Sequence, residues 1–199
     1  MNNNILHISN GSCVSVARIP VLSYEEFRSE TIELLSNKAR HCASYFEYPC
    51  AESLRLVMCI ADDSAHDIII YACNVEKTAE LHSIASSCLA LERFEREIHE
   101  NWKLEFKGHP WYKPVRDFFP DKYKFFEMEG EELPEVGVGP VHAGVIEPGH
   151  FRFICNGEDV LHLEIQLGWQ HRGVEKLMLR KKRLIERVLL AEGIAGDTS

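Results

Sequence analysis

The stretch from Gly139 to Lys176, GPVHAGVIEPGHFRFICNGEDVLHLEIQLGWQHRGVEK, holds four of the chain's ten histidines: His142, His150, His162 and His171. Arg152, Arg172 and Glu175 lie among them. Imidazoles change charge near neutral pH, so they can relay protons or hydrogen-bond a polar substrate atom. A carboxylate placed beside them can act as a general acid or base. The same side chains can also do nothing more than satisfy backbone groups in a hairpin or at a helix start.

The surrounding residues say which elements must position this chemistry. Gly139-Pro140 and Pro148-Gly149 are turn dipeptides. Phe151, Phe153 and Cys155 alternate with Arg152 and Ile154, and Asn156-Gly157 then predicts a tight hairpin turn. From Val160 to Leu167 the strand pattern returns, with Leu161, Leu163, Ile165 and Leu167 on one face and His162, Glu164 and Gln166 on the other. A helix follows over 171–192. Its apolar positions Val174, Leu177, Met178, Leu184, Ile185, Val188 and Leu189 predict one buried stripe. Glu175 falls in its first turn, where the helix dipole favours a carboxylate.

The strings GPVHAGVIEPGHFRF and HRGVEK resemble the N-terminal part of the large subunit of membrane-bound, energy-converting nickel–iron hydrogenases. They are also similar to the related forty-nine-kilodalton subunit of respiratory complex I. The resemblance implies that the glycine–histidine hairpin lies beside the catalytic cavity, near the nickel–iron site or the quinone pocket. It implies that Glu175, in the RGxE string, is the proton-transfer residue. His150 becomes the candidate for bonding a quinone oxygen or relaying a proton, with His142, Arg152, His171 and Arg172 lining the cavity or facing an iron–sulfur partner. The same resemblance expects cysteines after the helix, yet Ala195 and Thr198 stand at those positions. Neither can supply a thiolate. No metal is therefore expected to be held by this chain alone, and a nickel–iron site is not expected. NAD(H), quinone and iron–sulfur clusters are expected elsewhere in the complex.

Bulk composition narrows the remaining classes. No apolar run approaches the roughly 18 residues that a membrane span needs, and MNNNILHISN does not read as a secretory signal. The net charge of −9 argues against nucleic acid as a partner. That charge is uneven: from His171 onward there are seven Lys/Arg against four Asp/Glu. Arg180-Lys181-Lys182-Arg183 reads as a solvated helix face or a docking surface for an acidic subunit. The seven cysteines include no CxxC pair, which fits reduced, mostly buried thiols. Asp62, Asp63 and His66 could be drawn as metal ligands but read as a solvated turn.

Earlier in the chain, strands are predicted over Ser12–Ile19, Ala43–Tyr48 (closed by Pro49), Leu54–Ile60 and Asp67–Cys73. Ser23 and Glu26 form a capping-box pattern that opens a helix running to about Arg40. A short helix is expected over Glu76–His82. A clearer one covers Ser87 to Trp102, with Leu91, Phe94, Ile98 and Trp102 as its stripe and a charged outer face of i,i+4 pairs. Leu91–Ile98 followed by FKGHP, Phe106–Pro110, resembles the thirty-kilodalton subunit of respiratory complex I. That resemblance implies an α+β domain that holds neighbouring subunits together.

The expected architecture is α+β. A sheet-and-helix domain similar to that thirty-kilodalton subunit covers residues 1–125, and an acidic linker covers 126–138. A small antiparallel β module with a C-terminal helix covers 139–199 and resembles the start of a large subunit. The expected function is that of a component, a fragment completed by a separate helical body or else a free-standing subunit, of a membrane-associated NADH:quinone or hydrogenase-type oxidoreductase. Such a chain would be inactive alone. It would sit in the cytoplasm on the inner face of the membrane, with the iron–sulfur small subunit and other subunits as partners and the membrane arm reached indirectly. The alternative is a scaffold that keeps the fold without redox chemistry. No GxSxG, Walker or HExxH string supports a self-contained hydrolase or transferase.

Overall fold

The computed structural model describes residues 5–116, 124–128 and 133–194. The chain divides into two compact units, Met1–Tyr123 and Lys124–Ser199. The fold is α+β, with mainly antiparallel sheets and flanking helices. Among the described residues no helix is long and apolar enough to cross a membrane.

The first unit contains β1 (Leu6–Ser9), β2 (Val21–Leu22), α1 (Tyr24–Leu35), β3 (Arg40–Cys50), β4 (Ser53–Asp62) and β5 (Asp67–Glu76). After these come β6 (Glu80–His82), α2 (Glu92–Trp102) and β7 (Glu105–Lys107). β3, β4 and β5 form an antiparallel meander. The free edge of β5 takes β1 antiparallel and then β2 parallel. Leu54, Leu56, Met58 and Ile60 of β4, with Ile69, Tyr71 and Cys73 of β5, face the main core against Phe27, Leu34, Leu91 and Ile98 of the helical side. On the opposite face, Val57, Ile70 and Ala72 are covered by Ile8 and Ile19 from the N-terminal segment. The central strands are buried on both faces, which is why they read as nearly continuous apolar runs.

Several expected elements differ. The strand expected over Ser12–Ile19 is instead a loop with a 3-10 turn at Val16–Arg18; strands form before and after it, where β5 offers an edge. α1 starts on the expected capping box: the Ser23 amide donates to Glu26 at 3.0 Å and the Glu26 amide donates back to Ser23 Oγ. It ends at Leu35 rather than Arg40, because the Ser36 hydroxyl donates to the Glu33 carbonyl and a turn follows. β3 runs through Pro49, which an edge strand tolerates because its missing N–H can face away from the ladder. The short helix expected over Glu76–His82 is a turn followed by β6, which pairs parallel with β7. That long-range pairing overrides the local helical signal.

The second unit contains β8 (Glu135–Val138), β9 (His150–Asn156), β10 (Asp159–Gln166), α3 (Val174–Arg180) and α4 (Leu184–Glu192). The β9–β10 hairpin turns at Gly157, whose φ of +63° suits glycine. β8 joins β9 antiparallel, so Glu135–Val138, assigned to the linker on sequence, belongs to the sheet. The single helix expected over 171–192 is two helices. Lys181 and Arg183 are extended, and the like charges of Arg180 and Arg183, three residues apart, do not support a helix there. The expected buried stripe is not buried: neither helix holds a buried residue.

The faces of this small sheet are inverted. Register places Leu163, Phe153 and Val136 together on one face, with Ile165, Phe151 and Val138 beside them. Leu163, Val136 and Val138 are more than 40% exposed. The other face carries Glu164, Arg152, Gln166, His150 and His162, and there Glu164 and Gln166 are almost fully buried. Phe125 and Phe126 lie against this polar face.

Candidate functional site

The hairpin residues are held by close, specific contacts. Gly139 has φ +95°, and a Cβ there would lie 2.3 Å from the Gly149 carbonyl and 2.7 Å from His142. Only glycine fits this approach. His142 Nε2 donates to the same carbonyl at 2.8 Å. Its ring meets Phe151 edge-on at 5.6 Å. The Gly149 amide closes the loop on Pro140 at 3.1 Å. At the loop tip, Val141, Val145 and Ile146 are exposed.

His150 and Arg152 lie on the polar sheet face. The His150 ring meets Phe125 edge-on at 5.7 Å. The Arg152 guanidinium sits 5.0 Å over the same ring, donates to the Phe126 carbonyl at 2.5 Å and pairs with Glu135. Phe126 stacks on His162 at 4.1 Å, and its amide donates to Glu164 at 2.7 Å. Phe125 and Phe126 therefore position the histidines, with Glu164 holding Phe126; the sequence placed Glu164 on the face of His162 but marked neither phenylalanine. The alternation of β10 carried the signal, since a carboxylate opposite an arginine is a cross-strand pair.

His171, Arg172 and Glu175 come together in a separate cleft of about 210 Å³, lined also by Val174, Met178 and Ile194. His171 Nδ1 stands 4.0 Å from a Glu175 carboxylate oxygen. Arg172 is turned toward the end of α4, where it donates to the Ile194 carbonyl at 2.9 Å and also to Gly193. The Glu175 side chain is 62% exposed, so this cleft alone does not shield it from water. Ala195 and Thr198 lie outside the described residues.

The first unit contains a buried polar cluster on the helix whose charges were expected to form an outer, solvated face. Glu95 is fully buried. It accepts from Ser83 Oγ at 2.5 Å and from the Ile84 amide at 2.7 Å, with Ala85 more distant. The buried His109 ring is 3.9 Å away and hydrogen-bonds the Glu92 carbonyl. Burial pushes the Glu95 carboxyl up to about 7 against the pull of these donors, and burial lowers His109. The signal was available: Glu95 is four residues after Leu91 and three before Ile98, on the helix's apolar stripe.

The outer side of α2 clamps the following segment. Arg96 pairs with Glu92, donates to the carbonyls of Lys113 and Pro114, and lies 4.8 Å over Trp111. Glu100 accepts from the Val115 amide at 2.8 Å and from Arg116. The 250 Å³ cleft between them is therefore lined by groups that hold the chain in place. Among the described residues no three His, Cys, Asp or Glu side chains converge as a metal-holding group.

No family model matches the chain. It is 32% identical over 107 residues to hydrogenase-4 component G of Escherichia coli (strain K12), an alignment covering half of this chain and 19% of that protein. It is 32% identical over 94 residues to formate hydrogenlyase subunit 5 of the same organism, covering 47% and 16%. To membrane-bound hydrogenase subunit alpha of Pyrococcus furiosus it is 31% identical over 65 residues, covering 33% and 15%. The chain spans less than a fifth of the length of these curated relatives. Over the aligned part, it is similar to subunits of hydrogenase and formate hydrogenlyase complexes.

Proposed function

We propose that the chain is a component of a membrane-associated, energy-converting hydrogenase or NADH:quinone-type complex, inactive until its partners join it. The observation that carries this reading is the inverted sheet of the second unit. Leu163, Val136 and Val138 face outward while Glu164 and Gln166 are buried. An apolar sheet face stabilises a protein only when something covers it. The similarity to components of multi-part hydrogenases supports the same reading.

In this assignment the first unit is an interface domain like the thirty-kilodalton subunit of complex I. The second begins the cavity of a large subunit, with the iron–sulfur small subunit as neighbour and the membrane reached through other subunits. Glu175 transfers protons and His150 relays one or bonds an acceptor oxygen. His142, Arg152, His171 and Arg172 line the cavity. Residues 124–199 do not by themselves fit a nickel–iron centre, because their one cysteine is Cys155 and a site of that kind needs several thiolates. NAD(H), quinone and iron–sulfur clusters then belong to other parts of the complex.

The test is purification of the tagged chain from its own host in mild detergent. The expected result is co-purification with an iron–sulfur subunit and an oxidoreductase activity. Recovery as a stable, colourless protein without partners would reject the reading. The exposure of Glu175 favours a second one, a scaffold without redox chemistry. Glu175→Gln separates the two: an assembled complex that loses about a hundredfold in turnover supports proton transfer, and full turnover supports the scaffold.

A further inference from the structure

We propose that α3, α4 and the four cations at their junction, Arg180 to Arg183, form a docking surface for a polypeptide whose contact face is apolar at its centre and acidic at its rim. The proposal rests on the reading of the chain as a complex component and names the chemistry of one partner. α4 exposes Leu184, Ile185, Val188 and Leu189, all at least 44% accessible, and these fall on one stripe of the helix. At the N-terminal end of that stripe stand Arg180, Lys181, Lys182 and Arg183. Among the described residues none of these four side chains makes an ion pair.

The backbone presents this link firmly. The Lys181 amide donates to the Leu177 carbonyl at 3.2 Å, and Arg187 Nε donates to the Lys181 carbonyl at 3.0 Å. The cations are thus fixed beside the apolar stripe on a structured bend. Their charge selects an acidic rim, and the stripe selects an apolar centre. An anionic bilayer fits less well. The cations gather at one end of α4 instead of flanking its stripe, and Glu186 and Glu192 place negative charge on the helix itself. The chain's net charge of −9 disfavours nucleic acid.

A photo-crosslinking amino acid at Val188, in the full chain expressed in its own host, tests this. The expected product is one covalent adduct to one other protein, through a peptide in which apolar residues are mixed with Asp and Glu. Lys182→Glu with Arg183→Glu should lower the yield about tenfold, and added salt should lower the unmodified chain's yield. An adduct to lipid, to a second copy or to a basic peptide would overturn the proposal, as would a yield unchanged by the charge reversal. If partners co-purify but Val188 crosslinks to none of them, this docking surface fails while the component reading stands. If no partner co-purifies, both fail.

Discussion

The two units differ in what their sheets cover: β4 and β5 of the first are buried on both faces, whereas the sheet of the second buries its polar face and leaves its apolar face largely open. In the first unit the apolar side chains of β4 and β5 point into a core closed by α1 and α2, and Leu54, Leu56, Met58 and Ile60 are fully buried. In the second, Ile154 is the one buried hydrophobic residue among those described. Its sheet turns Glu164 inward under Phe126 and buries Gln166 on the same face, while Leu163, Val136 and Val138 stay open on the other. Periodicity identifies that a strand has two unlike faces. Which face is covered depends on what else is present, and the two units differ in that respect.

The comparison can be broken at its strongest point first. Phe27 is fully buried, 5.2 Å from the Tyr71 ring and 5.9 Å from Tyr45. Phe27→Ala should cost about 3–5 kcal/mol in denaturant unfolding; a loss below about 1 kcal/mol would mean the first core is not close-packed. Glu95 gives the next effect. Its folded-state carboxyl titrates near 7 against an ordinary 4.5, so between those values the native state holds a proton that the unfolded chain has lost. Stability should therefore fall as pH rises from 4.5 to 7, by on the order of 3 kcal/mol, and level off above. Glu95→Gln should flatten that part of the profile, and an unchanged profile in the variant would assign the dependence elsewhere.

Smaller effects sharpen the contrast. Ser23→Ala removes the cap of α1 and should cost about 1 kcal/mol, read from the denaturation midpoint. Leu163→Ser, on the open sheet face, should change the stability of the isolated chain by less than about 0.5 kcal/mol. The same substitution should reduce recovery of partners in the tagged purification. A large destabilisation of the isolated chain would show that the face is already covered.

Much of the fold could be read from local patterns, and the failures share a cause. The Ser23–Glu26 box, the β4 and β5 runs and the Asn156-Gly157 turn are local signals, and each element formed where they stand. β1, β2 and β6 are two to four residues long and exist through partners far along the chain, so no local pattern marks them. In the candidate site, the tight bend at Gly139 was legible from its turn dipeptide, whereas the bond from His142 to the Gly149 carbonyl was not. The shelter that Phe125 and Phe126 give His150 and His162 did not, because it is a contact across a segment with no periodic pattern. Glu95 was legible by position on its helix but was assigned by residue type, and type pointed to solvent.

β5 has a consequence for the order in which the chain can fold. It is the common neighbour of β4, β1 and β2. The β3–β4–β5 hairpins close over short loops, but β1 and β2 have no sheet to join until Glu76 has been synthesised. At roughly 5–20 residues per second, the interval between completing α1 and completing β5 is a few seconds. During that interval the N-terminal strands and the apolar side of α1 await their template. Translation speed through residues 36–76, or a chaperone bound to the first 35 residues, is therefore a point at which the yield of native protein can be set.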